Sequence, residues 1–480
     1  MRSARTNDHW RRVYAREYIV NISNLKFNNI AGVGEGTIDF NGGITALCGA
    51  NGVGKSTLLN AVLSVLKPKE FQNSVSYTRL LGSVLDAQIT TSKGAINQSL
   101  CFRDGIIDAS VIEEDIGVEV IMIDPSSNCY EQVKFYRSMS NMEELLDGYE
   151  PIISTEAEMK QISYIVGKEY TSCRTYEIED IGEYGVIPYF QVSTLNGIYG
   201  TETMGLGELS AHQIIWQLKR CSKNSIILIE EPESFLAPKS QEALLNVIAK
   251  YVEEKGGWVI LSTHSPNILE RIPIDHIRLL TRVGDRVQVM TPNSRDAHLT
   301  SFGVAPQKSS VLLVEDKFAR EFIKILLSYY DPFLIQKIDI LEAGDESKLK
   351  SIIRVFPKSS WLKIIGVFDG DMRSFKEVCK WPYTFLPANV APEQILKEEA
   401  LQNINLLSSL LGKSEDLVSI ILSSLEGLDH HDWFIELQHK LSVSYEQLIF
   451  TLFKVWINKS KNNEIALDVY IKINGLINED

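Results

Sequence analysis

Two α/β units followed by a helical C-terminal region are predicted for this 480-residue chain. Three observations predict them. Short apolar runs end in glycine, carboxylate or histidine: 44–47 before Gly49, 226–229 before Glu230, and 258–261 before Ser262-Thr263-His264. Such runs read as buried parallel strands with ligand-binding groups at their C-terminal ends. The pattern then restarts after residue 306. Val311-Leu312-Leu313-Val314 ends in Glu315, and 364–368 ends in Asp369-Gly370-Asp371. Beyond 401, Leu406, Leu407, Leu410 and Leu411 fall at helical spacing. A chain this long exceeds one ordinary core. The expected divisions are 16–300, with an insertion or lobe at about 100–190, then 307–400, then 401–480.

Composition narrows the class. Hydrophobic content of 44% and charged content of 23% are ordinary globular values. The six cysteines form no C-x-x-C pair, which argues against a zinc ribbon or disulfide framework and for a reducing compartment. No apolar run reaches the roughly 18 residues of a membrane span, and the polar 1–16 segment lacks a secretory h-region. A cytoplasmic protein without membrane contact is expected. The net charge of -14 disfavours non-specific coating of nucleic acid but leaves room for a local basic groove.

The first unit carries the strongest motif, Gly49-Ala50-Asn51-Gly52-Val53-Gly54-Lys55-Ser56, followed by Thr57. It matches G-x-x-x-x-G-K-[ST] between an apolar strand and an apolar helix, as a phosphate-binding loop requires. Its glycines admit backbone N–H groups to the phosphates, and the helix N-terminus adds its dipole. Asn51, Gly52, Gly54, Lys55, Ser56 and Thr57 are the expected nucleotide contacts, with Lys55 on the β- and γ-phosphates and Ser56 on Mg²⁺. Glu230 is placed near that ion, and Glu231 is placed to polarise the attacking water. His264, directly after a core strand, reads as a γ-phosphate contact. Met204-Gly205-Leu206-Gly207-Glu208 opens a helix and supplies a second candidate phosphate contact. The region 67–203 mixes strand-like runs, 118–123 and 132–136, with polar turns.

In this order the motifs resemble the ATP-binding-cassette ATPases of the SMC, Rad50 and RecF branch. The resemblance implies ATP sandwiched between two copies, with Gly205, Gly207 and Glu208 of one copy facing Lys55 of the other. Glu230 stands where that branch has Asp, and Gly205 where it has Ser. Gln72 and Gln88 are both candidates for its Q-loop glutamine.

In the second unit, two strands deliver Glu315, Asp369 and Asp371 to one sheet edge. Three carboxylates there suit Mg²⁺, which prefers oxygen ligands, and can support phosphodiester cleavage. The pattern resembles a Toprim domain, with Asp316 where a Gly is usual. The resemblance implies that the two Asp residues hold metal, Mg²⁺ or Mn²⁺, and that Glu315 is a ligand or the general acid/base. An ABC-type ATPase followed by a Toprim domain is similar to the OLD-family (overcoming lysogenisation defect) nucleases and to the Gabija nuclease subunit. That family implies Glu393 as a further metal ligand, a Lys among Lys440, Lys454 and Lys459, a DNA substrate, self-association, and a role in anti-phage defence. The alternative is an ATPase sensor or effector that needs a second defence protein or a nucleic acid and does not cut alone. A RecF-like repair ATPase leaves Asp369 and Asp371 unexplained. Asp429-His430-His431-Asp432 before Trp433-Phe434 reads as a helix cap over a core, or as a metal or phosphate contact.

Overall fold

A computed structural model describes residues 3–72, 74–91, 94–103, 106–109, 117–179, 185–284, 286–292, 308, 310–359 and 362–478. The chain divides into two compact units, Met1–Val304 and Ala305–Asp480.

The first unit is built on a six-stranded sheet. Its order is Arg286–Met290, Ile277–Val283, Ile44–Cys48, Trp258–Thr263, Ile226–Glu230, Val120–Ile123. All neighbours pair in parallel except the outermost strand, Arg286–Met290. Every residue of Ile44–Cys48 and Trp258–Thr263 is buried, as expected of strands covered on both faces. One face is covered by the helix Lys55–Leu66. That helix also packs on a second, antiparallel sheet ordered Gly34–Asp39, Asn21–Ile30, Val84–Thr91, Gly94–Arg103, Ile106–Ala109. The other face buries the helices Ser3–Ala15, Leu206–Arg220 and Pro238–Lys255, anchored by Val13, Ile214, Leu244 and Ile248. Pro238 starts the last of these with its fixed φ, and Gly256 ends it in the left-handed conformation (φ 71). A third, antiparallel sheet runs Gly197–Gly200, Ile187–Thr194, Ser172–Ile178, Ile152–Ile153.

The segment between the two nucleotide motifs is therefore mixed. Val120–Ile123 is the edge strand of the parallel sheet, Val84–Thr91, Gly94–Arg103 and Ile106–Ala109 belong to the second sheet, and the remainder supplies helices and the third sheet. The strand-like run 132–136 is not a strand. It lies in the helix Pro125–Ser138, because Asp124 caps the backbone N–H of Ser127 and Pro125 occupies the first turn.

The second unit has a four-stranded, wholly parallel sheet ordered Ile338–Glu342, Ser310–Val314, Lys363–Phe368, Tyr383–Phe385. Leu312, Val314, Ile365 and Val367 share one core with the helix Lys317–Tyr330 and with Leu407, Trp433, Phe434, Leu452 and Trp456 of the C-terminal helices. The helices between residues 404 and 478 thus pack against this unit's sheet and its helix Lys317–Tyr330. Asp429 accepts from the backbone N–H of Asp432 at 3.0 Å, and Trp433 and Phe434 are buried. That is the cap-over-core arrangement. Among the described residues no helix is long and apolar enough to cross a membrane.

Candidate nucleotide and carboxylate sites

The strand register of the first unit aligns its chemistry. Cys48 pairs with Thr263 and Glu230 with Ser262, so the three neighbouring parallel strands end within one residue of one another, with Trp258–Thr263 between the other two. The phosphate-binding loop, His264 and Glu231 therefore emerge from the same sheet edge, where ligands bind in open α/β sheets. In the loop, Gly49, Gly52 and Gly54 have φ of 153, 75 and 98. A Cβ on Gly54 would lie 2.5 Å from Val33 Cγ2, so glycine there meets both a backbone and a packing demand. Arg282 donates to the carbonyls of Gly32 (2.9 Å) and Gly52 (3.0 Å), tying the loop to the neighbouring turn. Lys55 is buried and donates to the Gly49 and Ala50 carbonyls at 3.1 and 3.3 Å.

Glu231 stands at the centre of this edge. Its backbone is left-handed (φ 42), a conformation that costs a non-glycine residue free energy and is often held at functional sites. Its N–H donates to Ser262, and its carboxylate lies 3.9 Å from Lys55 Nζ and 3.4 Å from His264 Nδ1. Burial raises the Glu230 carboxyl above the usual range, and a hydrogen bond with Ser56 opposes that. These two oxygen-bearing side chains meet where a hard divalent cation would be held. Glu233, two residues beyond Glu231, is buried. It accepts from Thr263 Oγ1 at 2.6 Å and from the His264 N–H at 2.8 Å, and so sets the turn that carries His264. The repeated acidic residues after 229 were the available signal for it.

The helix opened by Gly205 behaves differently. A Cβ on Gly205 would meet nothing within 4 Å, whereas one on Gly207 would lie 2.5 Å from the Phe235 carbonyl. Gly205 faces open space; Gly207 is a close-packing glycine. Glu208 is buried and turned inward. It accepts from Tyr170 (2.5 Å), Tyr199 (2.6 Å) and Lys168 (2.9 Å). Burial acts to raise its carboxyl, but these bonds outweigh it and hold the carboxyl low. In this arrangement Glu208 braces the helix. Gln88 sits on Val84–Thr91 of the antiparallel sheet, with Ser23 donating to its side chain at 3.2 Å.

In the second unit, Glu315 follows Ser310–Val314, and Asp369 follows Lys363–Phe368 on the adjacent strand. The Asp369 N–H donates to Glu315 at 3.1 Å. Gly370 lies beneath the segment 387–390, where a Cβ would come within 2.7–2.8 Å of the carbonyls of Val390, Ala388 and Pro387. Arg373 holds that segment by donating to the Leu386 (2.8 Å) and Ala388 carbonyls. Burial, then the charges of Glu315, Glu393, Asp316 and Asp371, push the Asp369 carboxyl up to about 8. Burial and Asp371 likewise raise Glu315. Asp369 Oδ1 is buried and receives no hydrogen bond. All-oxygen donors and an unsatisfied buried carboxylate oxygen fit a hard cation chemically. Yet among the described residues no three His, Cys, Asp or Glu side chains are close enough to hold a metal as they stand. Asp316, whose role the sequence did not assign, caps the helix Lys317–Tyr330 by accepting from the Ala319 N–H at 2.9 Å. Glu321 is buried and accepts from Arg320 at 2.9 Å. The candidate lysines lie on the helices: Lys440 donates to Ser424, Lys459 to Gln402, and Lys454 covers the ring of Tyr329.

Residues 24–92 match the family model of an AAA domain, and residues 180–270 match one described as "AAA domain, putative AbiEii toxin, Type IV TA system". The first match contains the phosphate-binding loop; the second contains Glu208, Glu230, Glu231 and His264. The first unit is thus an ATPase domain of the AAA type. No curated protein matches the chain. Among solved structures it is similar to the SMC head domain from Thermotoga maritima, at 12% identity and TM-score 0.35 over 57% of this chain and 100% of that one. It is also similar to the Pyrococcus furiosus Smc head domain with an extended coiled coil bound to the C-terminal domain of ScpA, at 13% identity and TM-score 0.36 over 56% and 96%. The matched segments and the order of the parallel strands, rather than these superpositions, define the unit.

Proposed function

We propose that this protein hydrolyses ATP at its first unit and uses the nucleotide state to control a magnesium-dependent DNA endonuclease of the OLD type in its second, in bacterial anti-phage defence. One observation carries the ATPase half: Glu231, held in a strained backbone, has its carboxylate between Lys55 and His264 at the sheet edge beside the phosphate-binding loop. Lys55 and the loop N–H groups bind the β- and γ-phosphates. Ser56 and Glu230 would hold Mg²⁺, which neutralises phosphate charge. Glu231 accepts the proton of the attacking water, and His264 contacts the γ-phosphate. A second copy would face the nucleotide with Gly205, whose open surroundings suit such an approach. For the second half, the support is a set of carboxylates crowded at one sheet edge. Glu315, Asp369 and Asp371, with Glu393 beside them, would hold Mg²⁺ or Mn²⁺, which would activate water toward a phosphodiester.

A second reading is favoured by the absence, among the described residues, of a ready three-ligand metal group. In it the protein is an ATPase sensor whose effector step awaits a partner protein or nucleic acid. Plasmid cleavage by the purified chain separates the two. With Mg²⁺ or Mn²⁺, with and without ATP, cleavage that vanishes in Asp369→Ala/Asp371→Ala supports the nuclease. Intact DNA in every condition, alongside ATP turnover, supports the partner-dependent effector.

A further inference from the structure

The edge strand of the parallel sheet, Val120–Ile123, runs parallel to Ile226–Glu230, with Ile123 opposite Ile229. The residues that follow these two, Asp124 and Glu230, therefore leave the sheet side by side at the nucleotide edge. Asp124 continues its strand in extended backbone (φ -114, ψ 94). Side chains alternate between the faces of a strand. Ile121, Ile123, Ile227 and Ile229 face one core. Val120, Met122, Ile226 and Leu228 face the other, with Leu58 and Val62 of the helix Lys55–Leu66. The alternation puts Asp124 and Glu230 together on this second face. It is the face from which Ser56, in the first turn of that helix, hydrogen-bonds Glu230. Burial, and after it the charge of Asp124, raises the Glu230 carboxyl, so the two carboxylates are within electrostatic reach of each other.

Asp124 already has one structural duty. Its Oδ1 accepts from the Ser127 N–H at 3.0 Å and starts the helix Pro125–Ser138. That duty does not call for a charge, since Asn and Ser cap helices about as well as Asp. Among the described residues no hydrogen bond or ion pair engages the second oxygen of this half-buried side chain. Two carboxylates on adjacent strand ends, both partly out of water, repel each other. A divalent cation offsets that repulsion, and Mg²⁺ takes one or two carboxylates together with phosphate oxygens.

We propose that Asp124 is a further oxygen donor to the divalent cation that accompanies the nucleotide, joining Ser56 and Glu230 from the neighbouring strand. The inference rests on the ATPase reading and adds to it a residue that lies outside every nucleotide motif of the sequence.

The test is Mn²⁺ binding to the full chain, followed by electron paramagnetic resonance, with a saturating non-hydrolysable ATP analogue. Mn²⁺ accepts the same oxygen ligands as Mg²⁺. An Asp369→Asn/Asp371→Asn background takes the two aspartates of the second unit out of the count. Into it are placed Glu230→Gln, Asp124→Asn and, as a second variant that keeps the helix cap, Asp124→Ser. The expected result is Mn²⁺ affinity reduced at least about tenfold in Glu230→Gln and in whichever Asp124 variants fold. Affinity for the analogue without metal should be unchanged or tighter, and the unfolding temperature without either ligand should equal that of the background. Mn²⁺ affinity lost in Glu230→Gln but unchanged in the Asp124 variants overturns the proposal and leaves the ATPase reading standing. Loss in neither overturns both. A lower unfolding temperature alongside the lost affinity in both Asp124 variants makes Asp124 a helix cap only, and also overturns the proposal.

Discussion

The two sheet edges present carboxylates in opposite electrostatic settings. Glu231 and Glu233 in the first unit have cationic or hydrogen-bonding company from Lys55, His264 and Thr263. Glu315, Asp369 and Asp371 in the second crowd one another, and among the described residues none has an ion pair within 4 Å. Like charges brought together out of water disfavour ionisation. The first edge has partners within the chain for these two carboxylates; the second, among the described residues, has no cationic side chain paired with Glu315, Asp369 or Asp371. The same residue type at the same place in a parallel sheet therefore reads differently according to what faces it.

Breaking each edge gives the largest effects. Lys55→Ala removes the buried side chain proposed to meet the phosphates and should abolish ATP binding in a fluorescent-nucleotide titration. Asp369→Asn should relieve repulsion, so the metal-free variant unfolds at a higher temperature than wild type. The same substitution should abolish any stabilisation by Mg²⁺ that wild type shows without nucleotide. If Asn lowers the unfolding temperature and Mg²⁺ acts equally on both, the electrostatic contrast is wrong.

A pH experiment sharpens the comparison from the first unit's side. His212 is held neutral, at about 4 against 6.5 for a free histidine, chiefly by burial, with Glu208 opposing and Lys168 assisting. Below 6.5 the unfolded chain takes up a proton that the folded chain refuses. Stability therefore falls as pH drops from 6.5 toward 4, by at most about 3 kcal/mol, and no further below that. Denaturant titrations of wild type and His212→Phe should diverge in that window; parallel curves would show that the imidazole is not held neutral. Smaller effects follow. Gly370→Ala forces a Cβ against three carbonyls and should cost about 1–3 kcal/mol, with cleavage lost. Glu208→Gln keeps the shape but weakens charge-assisted bonds to Tyr170, Tyr199 and Lys168, and should cost about 1 kcal/mol in thermal unfolding.

How much was legible follows from the range of the interactions. The phosphate-binding loop, the acidic strand end at Glu230-Glu231 and His264 are written in contiguous residues, and their strands lie where the apolar runs placed them. The run 132–136 misled because its apolar spacing was read without the Asp124-Pro125 start signal. The family resemblance sets Glu208 toward Lys55 of a second copy, whereas within the chain its carboxylate turns inward. Its inward turn depends on Tyr170 and Tyr199, and Tyr170 lies 38 positions away. His212 was invisible for the same reason: its burial is set by a sheet whose strands span 152–200. In the second unit, Glu315 and Asp369 could be paired from sequence. The pinning of Gly370 under 387–390 by Arg373 could not, since it depends on backbone carbonyls.

The central claim is that Glu231, between Lys55 and His264, serves hydrolysis and not binding. ATP turnover and ATP affinity measured together on wild type and Glu231→Gln test it most directly. The account predicts turnover reduced by about 10²–10⁴, the usual worth of a positioned general base, with affinity unchanged or tighter. Turnover equal to wild type, or affinity lost together with turnover, would contradict it.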